Sequence, residues 1–217
     1  MKRIITPVLA IGLTLGTAQL THAASAIISL TGESVTTGSS GTVNNVFGYD
    51  ITVGSSAIWV TSLGYYDPGH DGVADGNAQV GIYDPVGING TPLGSVTAGS
   101  TASGFVGDYR FIELSTPIML EANTTYRVAA NLGNVSGTSH NETPINGTPT
   151  FGSDLTINTS SSYSAIVPGG GLIRPNLSSG APMIYLGNFE YSTTPVPEPS
   201  AALLGLLSLG GLLRRRR

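Results

Sequence analysis

Residues 67–77 bring together the side chains best suited to hold a metal ion. Asp67, Asp71, Asp75 and Asn77 lie there among glycines. Calcium needs several oxygen ligands on a backbone that can curl, and Asp, Asn and Gly supply both. The spacing differs from that of an EF-hand, however, and no glutamate follows at its twelfth position. We therefore favour a plain hairpin loop, in which Asp and Gly satisfy the turn geometry, over a tentative calcium site.

Side chains for catalysis are few. Cysteine is absent, which excludes disulfides, thiolate metal sites and cysteine nucleophiles. His70 and His140 are the histidines left outside the N-terminal segment, and no G-x-S-x-G motif marks a nucleophilic serine. Carboxylates are numerous enough for a glycosidase pair, but no spacing selects two of them. We predict a protein that is not an enzyme and needs no cofactor, with a carbohydrate-active hydrolase as an alternative.

Aromatic side chains suggest a second alternative, a glycan-binding module. The chain has one tryptophan and nine tyrosines, which could form a face on which sugars stack. Aromatic residues in alternating strands usually pack in the core, and we predict that position for Trp59, Tyr49 and Tyr126. The tyrosines that we expect at the surface are Tyr65, Tyr66 and Tyr163.

The basic residues are concentrated at the two ends of the chain. Residues 25–192 contain twelve carboxylates, three arginines and no lysine, so their net charge is roughly −9, or −10 if Glu198 of the following segment is counted with them. Such a surface repels phosphate backbones and anionic lipids. We predict no nucleic-acid partner. Neutral glycans, and thus an extracellular polysaccharide, are compatible with this charge.

The body of the chain, residues 25–192, has the hydrophobic alternation of β-strands. Strand patterns occur at 47–53, 58–66, 80–84, 93–96, 109–114, 118–120, 125–132, 155–157 and 183–191. In the second of these, Trp59, Leu63 and Tyr65 fall on one face. About nine short strands without an amphipathic helix predict an all-β fold, an antiparallel β-sandwich or jelly roll.

Residues 1–24 are organised as a secretory signal peptide. Lys2 and Arg3 precede an apolar run over residues 4–15, and residues 21–24 offer small side chains where signal peptidase cleaves. We expect export through the Sec translocon and removal of this segment by signal peptidase. The alternative is an uncleaved anchor helix.

Residues 193–217 begin with a proline-rich motif. The motif consists of Val196, Pro197, Glu198 and Pro199. Its prolines exclude a helix and favour an extended, polyproline-like stretch. This stretch separates the body from the apolar segment that follows.

An uncharged segment runs from Ala201 to Leu213, and four arginines close the chain. As a short hydrophobic helix the segment would span roughly 20 Å, less than the ~30 Å hydrocarbon core of a bilayer. The terminal arginines are Arg214, Arg215, Arg216 and Arg217. The positive-inside rule keeps them in the cytoplasm and the body outside. We therefore predict a tail that is inserted in the inner membrane transiently.

Motif, apolar segment and arginine cluster together resemble the PEP-CTERM sorting signal of exported proteins from Gram-negative bacteria. The resemblance covers about the last 23 residues and agrees in order, spacing and position. It implies that exosortase, a membrane enzyme, recognises the tail and cleaves it near the motif. It also implies a place in the envelope or extracellular matrix, in association with biofilm and exopolysaccharide. An unprocessed short anchor is the alternative.

Part of the body resembles a β-sandwich module of secreted bacterial proteins. Residues 63–84 have its order of a strand, an Asp-rich loop and a strand with Val-Gly-Ile, an aromatic residue and Asp. Residues 117–120 and 125–128 match its later apolar strand, turn and Thr-Tyr strand. This resemblance implies the fold but no activity.

Overall fold

All regular structure in the described part of the chain is β-strand. The computed structural model describes residues 23–37, 44–70, 78–84, 90–98, 104–131, 142–167, 171–179 and 183–196. Within these ranges every strand pair is antiparallel, which confirms the predicted all-β class. Of the predicted signal peptide, residues 1–24, the structure describes only Ala23 and Ala24, and Ala24 lies in the first strand. The predicted C-terminal hydrophobic helix lies outside these ranges. No helix of these ranges is both long and apolar enough to cross a bilayer.

Fifteen strands form two larger sheets and two ribbons in the described residues. In chain order they are β1 (Ala24–Ser25), β2 (Ile27–Thr31), β3 (Ser34–Thr37), β4 (Asn44–Val53), β5 (Ile58–Tyr66), β6 (Gln79–Tyr83), β7 (Gly94–Thr97), β8 (Gly104–Val106), β9 (Tyr109–Leu120), β10 (Thr125–Asn131), β11 (Glu142–Ile145), β12 (Thr148–Phe151), β13 (Leu155–Val167), β14 (Leu177–Ser179) and β15 (Gly187–Ser192). The first sheet has the order β1-β15-β5-β9-β8, and the second has β14-β13-β4-β10-β6-β7. The ribbons are β11-β3 and β12-β2.

The predicted count of about nine strands was too low. Short strands such as β1, β3 and β11 carry too little alternation to be detected from sequence. In the opposite direction, the runs predicted at 109–114 and 118–120 are one strand, β9. Its register against β5 shifts between the pairs Ser62↔Glu113 and Val60↔Ile118, and this irregularity interrupts the alternation.

One hydrophobic core draws its side chains from both larger sheets. Leu63 and Phe189 of the first sheet and Ile51 and Val128 of the second belong to the same buried cluster. The Tyr49 hydroxyl donates a 2.8 Å hydrogen bond from the second sheet to the Gly187 carbonyl of the first. Because a buried hydroxyl needs a partner, this bond fixes how the two sheets meet. Tyr49 and Tyr126 are buried, as predicted.

Tight turns join the strands at one end of the sheets, which we call the tail end because β15 finishes there. The Gly54 amide donates to the Asp154 carbonyl at 2.8 Å, and the Asn123 amide donates to the Gly54 carbonyl at 2.9 Å. Asn123 has a φ of 55°, a left-handed conformation that asparagine tolerates well. These bonds link the turns after β4, β9 and β12. The opposite end, where β5 finishes at Tyr66, is the loop end.

Candidate functional site

The tail leaves the folded body beside the first strand. β1 is the outermost strand of the first sheet and pairs with β15, so that Ala24 lies opposite Tyr191 and Ser25 opposite Glu190. The Ala26 amide continues this pairing with a 2.8 Å bond to the Phe189 carbonyl. Because the two strands are antiparallel, the chain before residue 24 and the chain after residue 192 leave the sheet at the same end.

A hydroxyl-based turn ends the last strand. The Ser192 hydroxyl donates to the Thr194 carbonyl at 2.8 Å and lies 3.1 Å from the Thr194 amide nitrogen, which donates to it. Such Ser/Thr turns stop a strand by satisfying the next backbone groups locally. Val196 is the last described residue, and the rest of the predicted sorting tail, 197–217, lies outside the described ranges.

Asp67, the first predicted calcium ligand, forms an ion pair in the structure. Its Oδ2 accepts a 2.7 Å bond from Arg110 Nε, and only 2% and 6% of the two side chains are exposed. A buried carboxylate is costly without such a partner. The other predicted ligands, Asp71, Asp75 and Asn77, lie outside the described ranges. In the part of the chain that the structure covers, no three His, Asp or Glu side chains cluster as a metal site would.

His70 lies close to this ion pair. Its ring stacks on Phe105, with 4.2 Å between the centroids, and its Nε2 lies 2.9 Å from the Gly107 carbonyl oxygen. Arg110 contacts the same phenyl ring, with its guanidinium carbon 5.1 Å from the centroid. His70 has a φ of 58° and follows Gly69 with 83°, so a tight turn precedes residues 71–77. The turn before residue 71 therefore packs on Phe105 at the loop end.

The prediction that Tyr65 and Tyr66 lie at the surface was wrong. Both side chains are buried, at 0% and 1% exposure. Tyr65 belongs to the core, while the Tyr66 hydroxyl donates to Glu33 Oε1 at 3.3 Å and its ring contacts Tyr109 edge-on. Sequence alternation assigned Tyr66 to a solvent face because it could not show that Glu33, from the chain between β2 and β3, reaches this tyrosine. Tyr163 is half-buried.

Trp59 also departs from its predicted core position. Ile58 and Val60 are fully buried on either side of it, so the tryptophan points away from the core and is half-buried. A β-bulge explains the error. Glu190 pairs with Ser62 while Tyr191 pairs with Val60, so one extra residue in β5 reverses its alternation. Trp59 therefore does not share a face with Leu63.

A second ion pair occupies the face of the second sheet that points away from the core. Arg127 donates from Nε to Asp50 Oδ1 at 2.7 Å and from Nη2 to Oδ2 at 3.0 Å. Its Nη1 donates to the Pro175 carbonyl at 2.6 Å, and its guanidinium carbon lies 3.2 Å from the centre of the Tyr163 ring. This bidentate, stacked geometry is specific to arginine.

Residues 171–176, which we call the crossing segment, run over this outer face. A Cβ atom at Gly48 would lie 2.9 Å from Pro175 Cγ, and one at Gly81 would lie 2.7 Å from Leu172 Cδ2. The two glycines therefore provide the space in which the segment lies. Leu172 packs on a small second cluster, whose buried members are Val46, Tyr83, Ala129 and Ala165.

The buried tyrosines are held in their neutral form. Burial raises the pKa of Tyr49, Tyr109 and Tyr185, and in Tyr49 and Tyr109 the neighbouring tyrosines raise it further. Burial, with a hydrogen bond to Asp154, raises the pKa of Tyr191 to about 12. These phenols therefore stay protonated at neutral pH, and the hydroxyls of Tyr49, Tyr109 and Tyr191 donate hydrogen bonds.

Sequence analysis did not identify the Arg127 cluster, although one signal was present. The body lacks lysine, and two of its three arginines fall inside apolar strands. A charge in such a position requires a carboxylate partner. Which of the twelve or so carboxylates pairs with it depends on the register Arg127↔Asp50, which sequence does not reveal.

The chain was compared with known proteins. Neither the models of known protein families nor the curated proteins contain a match to it.

Proposed function

We propose that the protein is an exported, non-enzymatic component of the cell envelope or extracellular matrix that is sorted through a PEP-CTERM-like tail. The observation that carries this proposal is the amino-acid sequence of the tail, in which Pro197-Glu198-Pro199 is followed by an uncharged segment ending at Leu213 and by four terminal arginines. In this proposal exosortase recognises the motif while the apolar segment is inserted in the inner membrane. Cleavage near the motif then releases the body into a biofilm or exopolysaccharide matrix.

The position of the tail on the body supports this proposal. Ser192 ends β15, and the Ser192–Thr194 turn lies between this strand and the motif. The motif therefore begins only a few residues beyond a folded edge, where a membrane enzyme has access to it. Ala24, at the start of β1, lies beside this exit. Both targeting segments thus approach the membrane from one end of the body.

We also propose that the body is a β-sandwich of the jelly-roll type. The shared core and the Tyr49–Gly187 hydrogen bond between the sheets support a two-layer arrangement. Successive strands change sheets repeatedly, as β4, β5 and β6 do, which is typical of jelly rolls. A folded module of this kind fits a structural role, and no set of described side chains favours hydrolysis or sugar binding.

The experiment is to follow the body in an exosortase-containing Gram-negative bacterium. The wild-type chain is compared with a variant in which Pro197, Glu198 and Pro199 are all changed to alanine. We expect the wild-type body in the extracellular or matrix fraction and the variant in the inner membrane at full precursor length. A variant with Thr193→Ala, beside the motif but outside it, should be sorted like the wild type. Equal release of all three would contradict exosortase sorting.

Deletion of the exosortase gene is the complementary arm. The wild-type chain should then accumulate in the membrane with its tail intact. Release that continues unchanged without the enzyme would instead mean that a different protease removes the tail.

A further inference from the structure

The tail end of the first sheet carries an exposed apolar pair. Trp59 of β5 lies opposite Met119 of β9 on one side and Ser192 of β15 on the other. The neighbours of Trp59, Ile58 and Val60, point into the core, so Trp59 and Met119 share the outer face. Met119 is 52% exposed and Trp59 is half-buried. The last residue of the body thus adjoins its only tryptophan.

The length of the chain beyond Ser192 limits how far Trp59 and Met119 can lie from the membrane-inserted segment. Nine positions along the chain lead from Ser192 to Ala201, the first residue of the uncharged segment. As a polyproline helix they span at most about 28 Å, and the turn at Ser192–Thr194 shortens this reach. While the segment is in a bilayer, the connecting chain therefore keeps Ser192, the register partner of Trp59, within about 28 Å of the segment.

The polarity of the outer face changes along the strands. Beyond the bulge, Ser62 lies between Glu113 of β9 and Glu190 of β15, so carboxylates follow the apolar pair in the direction of the loop end. Asp67, just beyond the end of β5, is eight residues from Trp59 along the chain, or at most ~26 Å away. The apolar pair and the acidic groups are thus arranged in order of distance from the tail.

From these positions we infer that Trp59 and Met119 contact the headgroup region of the bilayer while the tail is inserted. The tail end of the body then faces the membrane. Tryptophan prefers this interface because its ring is apolar and its N–H is polar. The acidic body excludes anionic lipid as the occupant, so the surface fits a zwitterionic one. This inference rests on the proposed insertion of the tail. It directs the loop end, where β5 finishes at Tyr66, away from the membrane.

The single tryptophan makes the contact directly measurable. The full chain is extracted from the membrane of an exporting host that lacks exosortase and is reconstituted in phosphatidylcholine vesicles. Flotation reports insertion of the tail, and Trp59 emission reports its surroundings. We expect flotation, emission at shorter wavelength than in a variant that ends at Val196, and strong quenching by lipids brominated near the headgroup. Lipids brominated at the end of the acyl chain should quench much less.

The controls move the tryptophan within a Trp59→Phe background. Met119→Trp should be quenched as Trp59 is, because the two residues are register partners. Phe105→Trp, at the loop end, should not be quenched. Chains that float with an unshifted, unquenched Trp59 would overturn the inference and leave the proposed function intact. A shift without bromine quenching would mean that protein covers Trp59, which also overturns it. Chains that fail to float would contradict the inserted tail and the inference together.

Discussion

Ala24 lies directly opposite Tyr191 in the antiparallel pair of β1 and β15. The first strand and the last strand of the body are therefore neighbours, although 167 positions separate the two residues in the sequence. Tyr191 is also fixed to the tail-end turns, because its hydroxyl donates to Asp154 Oδ2 at 3.0 Å. The site at which the tail leaves is thus a hydrogen-bonded part of the fold.

The Arg127–Asp50 pair should stabilise the body measurably. Arg127→Met leaves Asp50 and the Pro175 carbonyl without their donor, and we expect a loss of about 2–3 kcal/mol in the free energy of unfolding, somewhat below that for fully buried pairs because Asp50 is partly exposed. Urea unfolding measures it. Arg174→Met, in the crossing segment, is the control and should lose less than about 1 kcal/mol, since its bond to Asn176 is exposed. Equal losses in both variants would mean that the Arg127–Asp50 pair stabilises the body no more than the exposed bond of Arg174 does.

The crossing segment should detach when the space beneath it is filled. A Cβ at Gly48 would lie 2.8 Å from the Val128 carbonyl oxygen and 2.9 Å from Pro175 Cγ. We expect Gly48→Ala to lose about 1–3 kcal/mol and to expose the bond after Leu172 to chymotrypsin. Gly104→Ala is the matched control, because nothing lies within 4 Å of its Cβ position. Unchanged cleavage in Gly48→Ala would show that the segment does not need this glycine.

Alkaline pH should unfold the body through its tyrosines. Their folded-state pKa values are raised above the ordinary value of 10, so the stability they contribute is complete below pH 10 and is lost as the pH rises through the folded values. For Tyr191 the loss falls between about pH 10 and 12. Unfolding free energies from pH 7 to 12 test this, and Tyr191→Phe should be less stable at pH 7 but should decline less steeply. A flat profile up to pH 12 would contradict it.

Calcium should leave the protein unchanged if residues 67–77 form the plain loop that we favour. We expect no heat in calorimetry and no shift in melting temperature on addition of calcium. Asp67→Asn should lower the melting temperature with or without calcium, because it weakens the Arg110 ion pair. A calcium-dependent rise in the wild type that disappears in Asp71→Ala and Asp75→Ala would establish the calcium site instead.

Sequence alternation predicted the strands that contribute the core residues, but it did not assign every side chain to the correct face of its strand. Tyr49, Ile51 and Val53 alternate strictly and are buried as predicted, because β4 runs straight through the second sheet. In β5 the bulge near Ser62 reversed the alternation, which misplaced Trp59. A bulge depends on how two strands pair, and alternation within one strand cannot reveal it.

Long-range partners account for the rest of what sequence could not predict. The Arg127–Asp50 pair joins residues 77 positions apart, and the Tyr66–Glu33 bond joins residues 33 apart. The crossing segment is rich in Gly and Pro, a composition typical of loops, and nothing in its sequence indicates where it lies on the sheets. Its position over the outer face depends on Gly48 and Gly81, two glycines whose missing side chains gave no signal in the sequence.

The mass of the C-terminal peptide of the released protein tests the central claim most directly. The body is purified from the extracellular or matrix fraction, digested with a protease that does not cut after arginine, and its last peptide is sequenced by mass spectrometry. Sorting through the tail predicts that the chain ends near Pro199 and that residues 201–217 are absent. A released chain that still ends in Arg217 would contradict the account.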